Sequence, residues 1–187
     1  STQLIVGADA ATDQAIIEKS STLYGAYRLR RVYYSAFSPI PDASRLLPLK
    51  PAPLMREHRL YQSDWLMRFY GFEADEIVPP GENMLSLEVD PKLAWALAHA
   101  DCFPVDLNRA PRELMLRVPG LGVRTVDRFL AARRVRRLRS DDLRRLKLKM
   151  EKVLPFVVLA DYRPTKTSNS QVAGRTAWRG LIRSRSE

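Results

Sequence analysis

Apolar positions follow two rhythms along this chain. Gln3-Leu4-Ile5-Val6 is a short, nearly continuous apolar run that reads as a buried strand. After Gly7 the spacing becomes helical from about Asp13 to Leu23, with Thr12 or Asp13 able to cap it. Arg31-Val32-Tyr33-Tyr34-Ser35-Ala36-Phe37 then reads as a second strand, apolar on both faces, as in a parallel sheet covered by helices. One strand-helix-strand unit cannot bury both faces of its own sheet. Residues 1–40 are therefore expected to be the end of a larger α/β domain.

Pro39, Pro41, Pro48, Pro51 and Pro53 exclude regular helix or central strand, which makes 41–54 the expected connector and domain boundary. Beyond it Leu60, Tyr61, Trp65, Leu66, Phe69 and Tyr70 recur at helical spacing from about Met55 to Tyr70, ending at Gly71. That aromatic stripe reads as core rather than as a stacking platform. Pro79-Pro80-Gly81 is irregular, Asp90-Pro91 opens a short helix to about His99, and the chain to Tyr162 reads as largely helical. The expected fold is α+β, mainly α, with a helical domain over 55–163 and a mobile basic tail over 164–187.

Charge sharpens this picture. Between Arg109 and Lys152 there are 15 Lys or Arg against five Asp or Glu, so this segment carries the whole net charge of +10. Such a concentration is the footprint of a polyanion partner, and its plainer alternative is a solvated helical face. No apolar run of about 18 residues and no secretory leader is present, so the chain reads as soluble and cytoplasmic, without a membrane partner. Cys102 is the single cysteine and reads as a small hydrophobe, while His58 and His99 lie far apart on amphipathic stretches. No metal-ligand set and no catalytic residue is expected from them.

The basic segment contains a helix, a tight turn and a helix: Pro111 to Val118, Pro119-Gly120-Leu121-Gly122, and Val123 to Arg134. Two glycines around one apolar residue allow unusual backbone angles and close approach of a phosphate, with Leu121 as an inward plug. Amide N–H groups opening the second helix would face the anion, aided by the helix dipole. Arg117, Arg124 and Arg128 lie near the turn in sequence, and Arg133, Arg136 and Arg137 add general attraction. Leu114, Val118, Val126, Phe129 and Leu130 are the expected inner faces. The plainer reading is an αα-hairpin with a glycine-rich turn.

The segment DLNRAPRELMLRVPGLGVRTVDRFLAARR resembles the helix-hairpin-helix signature of bacterial DNA-binding and repair proteins, over about 108–134. The resemblance implies duplex phosphate binding without sequence readout, often with a bound monovalent cation, and assigns it to Gly120, Leu121 and Gly122, flanked by Val123. The helix after Ser140 looks like the partner hairpin of a paired motif, with Leu143, Leu146, Met150 and Val153 inward. It reads Leu146-Lys147-Leu148-Lys149 where a second glycine turn would fall, so it is expected to support the first turn rather than repeat its contact.

More widely, residues 1 to about 163 are similar to the C-terminal part of a bacterial radical S-adenosylmethionine protein of the DNA modification or repair type. That resemblance implies a remnant of a partial TIM-like barrel joined to the hairpin domain, and a DNA glycosylase-like partner. S-adenosylmethionine and a 4Fe-4S cluster are implied for the intact parent only, because the three-cysteine motif that holds such a cluster is absent here. The C-terminal strand ends, where barrels place ligands, nominate Gly7, Ala8, Asp9, Ser35 and Phe37 as cofactor contacts in that parent.

Overall fold

The computed structural model describes residues 1–40, 47–79 and 81–165, so part of the 41–54 connector and most of the expected tail lie outside the described residues. The described residues are mainly helical, with two small parallel sheets. Contacts divide the chain into two compact units, Ser1–Trp95 and Ala96–Glu187. The division therefore falls well after the connector that the prolines had suggested, for a reason visible in the first unit.

That unit begins with β1 (Thr2–Val6), α1 (Asp13–Gly25) and β2 (Val32–Ala36), in the expected order. Thr12 caps α1, its hydroxyl oxygen accepting the Ala15 N–H at 3.2 Å. Next come α2 (Leu54–Tyr70), α3 (Ala74–Ile77) and α4 (Pro91–Ala98), which crosses the division. Helix α2 packs on β2 and on α1, so it completes the strand unit instead of starting a new domain. Its base is tied down by the buried Asp13 carboxylate, which accepts Arg56 Nε at 2.6 Å and the Leu85 N–H at 2.9 Å.

The strands are not covered on both faces. Val6, Val32 and Tyr34 are buried, whereas Ile5 is 48% exposed and Tyr33 42%, so the helices close one face only. The aromatic stripe of α2 also divides: Leu60 and Leu66 are buried, but Trp65 and Phe69 are half-exposed and meet edge to face on the surface, with the Arg68 guanidinium over Phe69. Helical spacing finds the axis of such a helix but not the width of its covered stripe.

The two sheet edges differ. Parallel pairing sends the Thr2 N–H to the Arg31 carbonyl and the Phe37 N–H to the Val6 carbonyl, which turns the N–H groups of Val32, Tyr34 and Ala36 outward. Each meets a side chain: the Tyr24 hydroxyl at 3.0 Å, the Tyr61 hydroxyl at 3.1 Å and the Glu57 carboxylate at 2.7 Å. Tyr24 in turn donates to buried Asp64, and burial followed by that bond pushes its phenol up to about 12. On β1 the outward N–H groups of Gln3 and Ile5 meet no acceptor among the described residues.

The second unit contains β3 (Val105–Asp106), α5 (Arg112–Arg117), α6 (Val123–Ala132), α7 (Ser140–Arg145), α8 (Met150–Val153) and β4 (Val157–Val158). The run expected to be largely helical also holds two short strands, β3 and β4, which pair in parallel. Two-residue strands leave almost no periodic signal in a sequence. Among the described residues no helix is long and apolar enough to cross a membrane.

The edge asymmetry should be visible in amide exchange followed by NMR. Gln3 and Ile5 are expected to exchange nearly unprotected and Tyr34 and Ala36 slowly, and Tyr61→Phe should expose the Tyr34 amide selectively. Equal protection of Ile5 and Tyr34 would mean that the outer edge of β1 is covered in solution.

Candidate nucleic-acid interface

Polar ties inside the second unit hold the hairpin by its ends. The Asn108 amide grips Leu138 from both sides, accepting its N–H at 2.7 Å and donating to its carbonyl at 3.3 Å. Arg133 donates to the carbonyls of Ala110 at 2.6 Å and Leu107 at 3.2 Å. Across the hairpin Arg112 Nε lies 2.9 Å from Asp127 Oδ1. Helices α5 and α6 thereby leave and return at a fixed place.

Between them is a tight turn. Leu121 donates its N–H to the Val118 carbonyl at 3.2 Å, with Pro119 next and Gly120 at φ +81°, the pattern of a type II turn. Glycine is needed at Gly120 twice over. Its φ is left-handed, and a Cβ there would stand 2.8 Å from Cγ2 of Val153 and 3.5 Å from the Lys152 Cβ. Gly122 differs from expectation, since its φ of −97° is extended backbone that any residue adopts.

Leu121 is 2% exposed and is the expected plug, but its N–H closes the turn. The groups left over are those opening α6. The first bond inside that helix runs from the Val126 N–H to the Gly122 carbonyl, and Gly122 has no side chain with which to cap. The N–H groups of Gly122, Val123, Arg124 and Thr125 therefore have no acceptor among the described residues.

The arginines sort into two groups. Arg124 and Arg128 are exposed, one turn apart on α6, and make no ion pair among the described residues. Arg117 is half-buried near Cys102, whose thiol is pushed up by burial and by Asp101 while Arg117 opposes the shift. Two arginines assigned to general attraction are occupied instead: Arg133 in the carbonyl bonds above, and Arg136 in a two-pronged pair with Asp142 at 2.9 and 2.5 Å. Asp142 also accepts the Arg139 N–H at 2.9 Å, and the bond from Arg136 above all holds its carboxyl down at about 2. Arg137 stays exposed.

The inner faces are Met115, Leu116 and Val118 against Val126 and Phe129, all buried, whereas Leu114 and Leu130, expected inside, are half-buried. Sequence reading missed the tie through Asp142 and the approach of Lys152 to Gly120. The first had a signal, an acidic residue three places after a helix cap. The second joins residues far apart in sequence and had none.

The barrel-end candidates lie in the first unit and are engaged locally. Gly7 has φ +81°, and a Cβ there would meet the Ala52 Cβ at 2.7 Å. Ser35 accepts from Gln3, Asp9 accepts the Ala11 N–H, Phe37 is buried with its carbonyl bonded to Ala52, and Ala8 is half-buried. Among the described residues no three His, Cys, Asp or Glu side chains come together around a metal position, and half-buried Cys102 is the chain's single thiol. These residues do not fit a cubane cluster.

No protein-family model, curated protein or solved structure matches the chain.

Two outcomes test this geometry. Gly120→Ala should destabilise the chain by about 2 kcal/mol or more in denaturant unfolding, through left-handed strain and the clash with Val153, while Gly122→Ala should cost much less. Asp142→Asn should cost about 1 to 2 kcal/mol at neutral pH. Because the folded carboxyl is depressed, that contribution is complete above the unfolded value near 4 and is lost as pH falls towards 2, where parent and variant should melt alike.

Proposed function

We propose that this chain binds the phosphate backbone of DNA without reading base sequence, through the helix-hairpin-helix at the Pro119–Gly122 turn. The observation that carries the reading is the uncapped start of α6. Among the described residues, four N–H groups stand without acceptors at the positive end of a ten-residue helix, with Arg124 and Arg128 exposed and in no ion pair on the same helix. An anion that needs several donors and tolerates no base contact fits this set, and a backbone phosphate is such an anion. The charge excess between Arg109 and Lys152 points the same way.

By the wider resemblance, the module would deliver a radical S-adenosylmethionine enzyme of DNA modification or repair to its substrate, with the cluster and S-adenosylmethionine held elsewhere in a longer parent chain. A monovalent cation at the hairpin belongs to the same proposal. The competing reading, in which the hairpin docks a DNA glycosylase-like protein, requires binding that survives high salt.

Duplex binding should fall with salt at a logarithmic slope of roughly −3 to −5, for about 3 to 5 neutralised phosphates, and should be indifferent to base sequence. Gly122→Asp is the sharper probe. An aspartate at this cap would accept the free N–H groups itself, so it should hold or raise thermal stability while weakening duplex binding about tenfold or more. Arg124→Ala should weaken binding more than Arg139→Ala. A Gly122→Asp chain that binds like the parent would overturn the assignment of the site.

A further inference from the structure

We propose that Lys149 and Lys152, from the opposite end of the second unit's sequence, complete the phosphate site at the Pro119–Gly122 turn. This rests on the reading above and deepens it, because it assigns to the DNA backbone two cations that belong to neither helix of the hairpin. The key contact is at Gly120. The point where its Cβ would stand lies 3.5 Å from the Cβ of Lys152 and 2.8 Å from Cγ2 of Val153, so α8 lies directly against the turn. Val153 is fully buried and fixes that approach.

Lys149 is the residue before α8, and the Lys152 N–H bonds to its carbonyl at 2.9 Å. Lys149 is the N-cap with extended backbone, and that bond keeps it within one turn of Lys152. Lys149 is exposed, Lys152 is half-buried, and neither makes an ion pair among the described residues. That pattern fits a stem packed along the turn with its ammonium extended to solvent. From Gly120 the free N–H groups begin two residues on, no more than about 7 Å of chain, well within reach of a lysine. The exposed Glu151 lies between the two lysines in sequence and leaves α8 and its cap with a net positive charge.

The contact differs in kind from that of α6. Helix α8 has four residues, too short to present an anion site of its own, and its contribution is made by ammonium groups rather than backbone amides. A turn lined by α6 on one side and Lys149 and Lys152 on the other surrounds a phosphate with donors from two directions. It also explains why Gly120 admits no side chain: a Cβ would push away the helix that carries these cations.

The test compares Lys149→Gln/Lys152→Gln with Arg134→Gln/Arg137→Gln, which removes the same charge past the far end of α6, a helix about 15 Å long. Both doubles, the parent and Lys149→Arg/Lys152→Arg are titrated with a short DNA duplex over a range of salt, with melting curves recorded for each. The lysine pair should lose about tenfold in affinity and flatten the salt slope by about 2, the arginine pair should lose several-fold less, and the Lys-to-Arg chain should bind like the parent. Equal losses in the two glutamine doubles, at unchanged melting temperature, would overturn the proposal. If Gly122→Asp abolishes binding while the lysine double binds normally, this inference alone fails. A parent chain that binds no duplex overturns both readings.

Discussion

The second unit depends on the absence of one side chain. At Gly120 the backbone is left-handed and Val153 occupies the space a Cβ would need, so turn geometry and packing of α8 are a single constraint. Without a glycine there, either the type II turn opens or α8 withdraws. In the first case α6 starts in a different direction and its free N–H groups no longer converge. In the second case the buried side chain of Val153 loses the turn packed against it. The turn is thus part of the core, and its outer surface offers donors because its inner surface is fixed.

Charge in this unit is concentrated but not uniform in use. Arg133 and Arg136 are spent on carbonyls and on Asp142, and Arg112 on Asp127, which fixes the hairpin ends. Bound guanidinium groups add to the long-range field but cannot move to meet a ligand without breaking these bonds. Arg124, in the first turn of α6 where the helix dipole is positive, and Arg128, one turn on, make no ion pair among the described residues, and neither do Arg137, Lys149 and Lys152.

The sequence carried much of this in local patterns and little of it in long-range ones. Both strands, α1, α2 and the two hairpin helices were legible to within a few residues, because periodicity, Thr12 and the proline and glycine punctuation are local. What escaped was set by contacts between distant segments: the α2 packing that moved the division to Trp95, the two-residue strands β3 and β4, and α8 against Gly120. The three turn residues play different structural parts. Gly120 is held by its φ, Leu121 by burial, and Gly122 by neither, so its freedom from a side chain matters only for the uncapped amides. At the second turn, Lys147 adopts a φ of +53° without being a glycine, at a cost of about 1 kcal/mol that no composition rule would anticipate.

The first unit places its own limit on any larger sheet. In a closed barrel each strand pairs on both sides, and the N–H groups of Val32, Tyr34 and Ala36 would bond to a further strand. Here Tyr24, Tyr61 and Glu57 already hold them, from α1 and α2. Adding a strand beyond β2 would displace three side chains from the N–H groups they hold, at about 1 kcal/mol for each bond lost. Beyond β1, the N–H groups of Gln3 and Ile5 meet no acceptor among the described residues, and the exposed face of Ile5 and Tyr33 adjoins them. A sheet containing these strands can therefore grow past β1 and must end at β2.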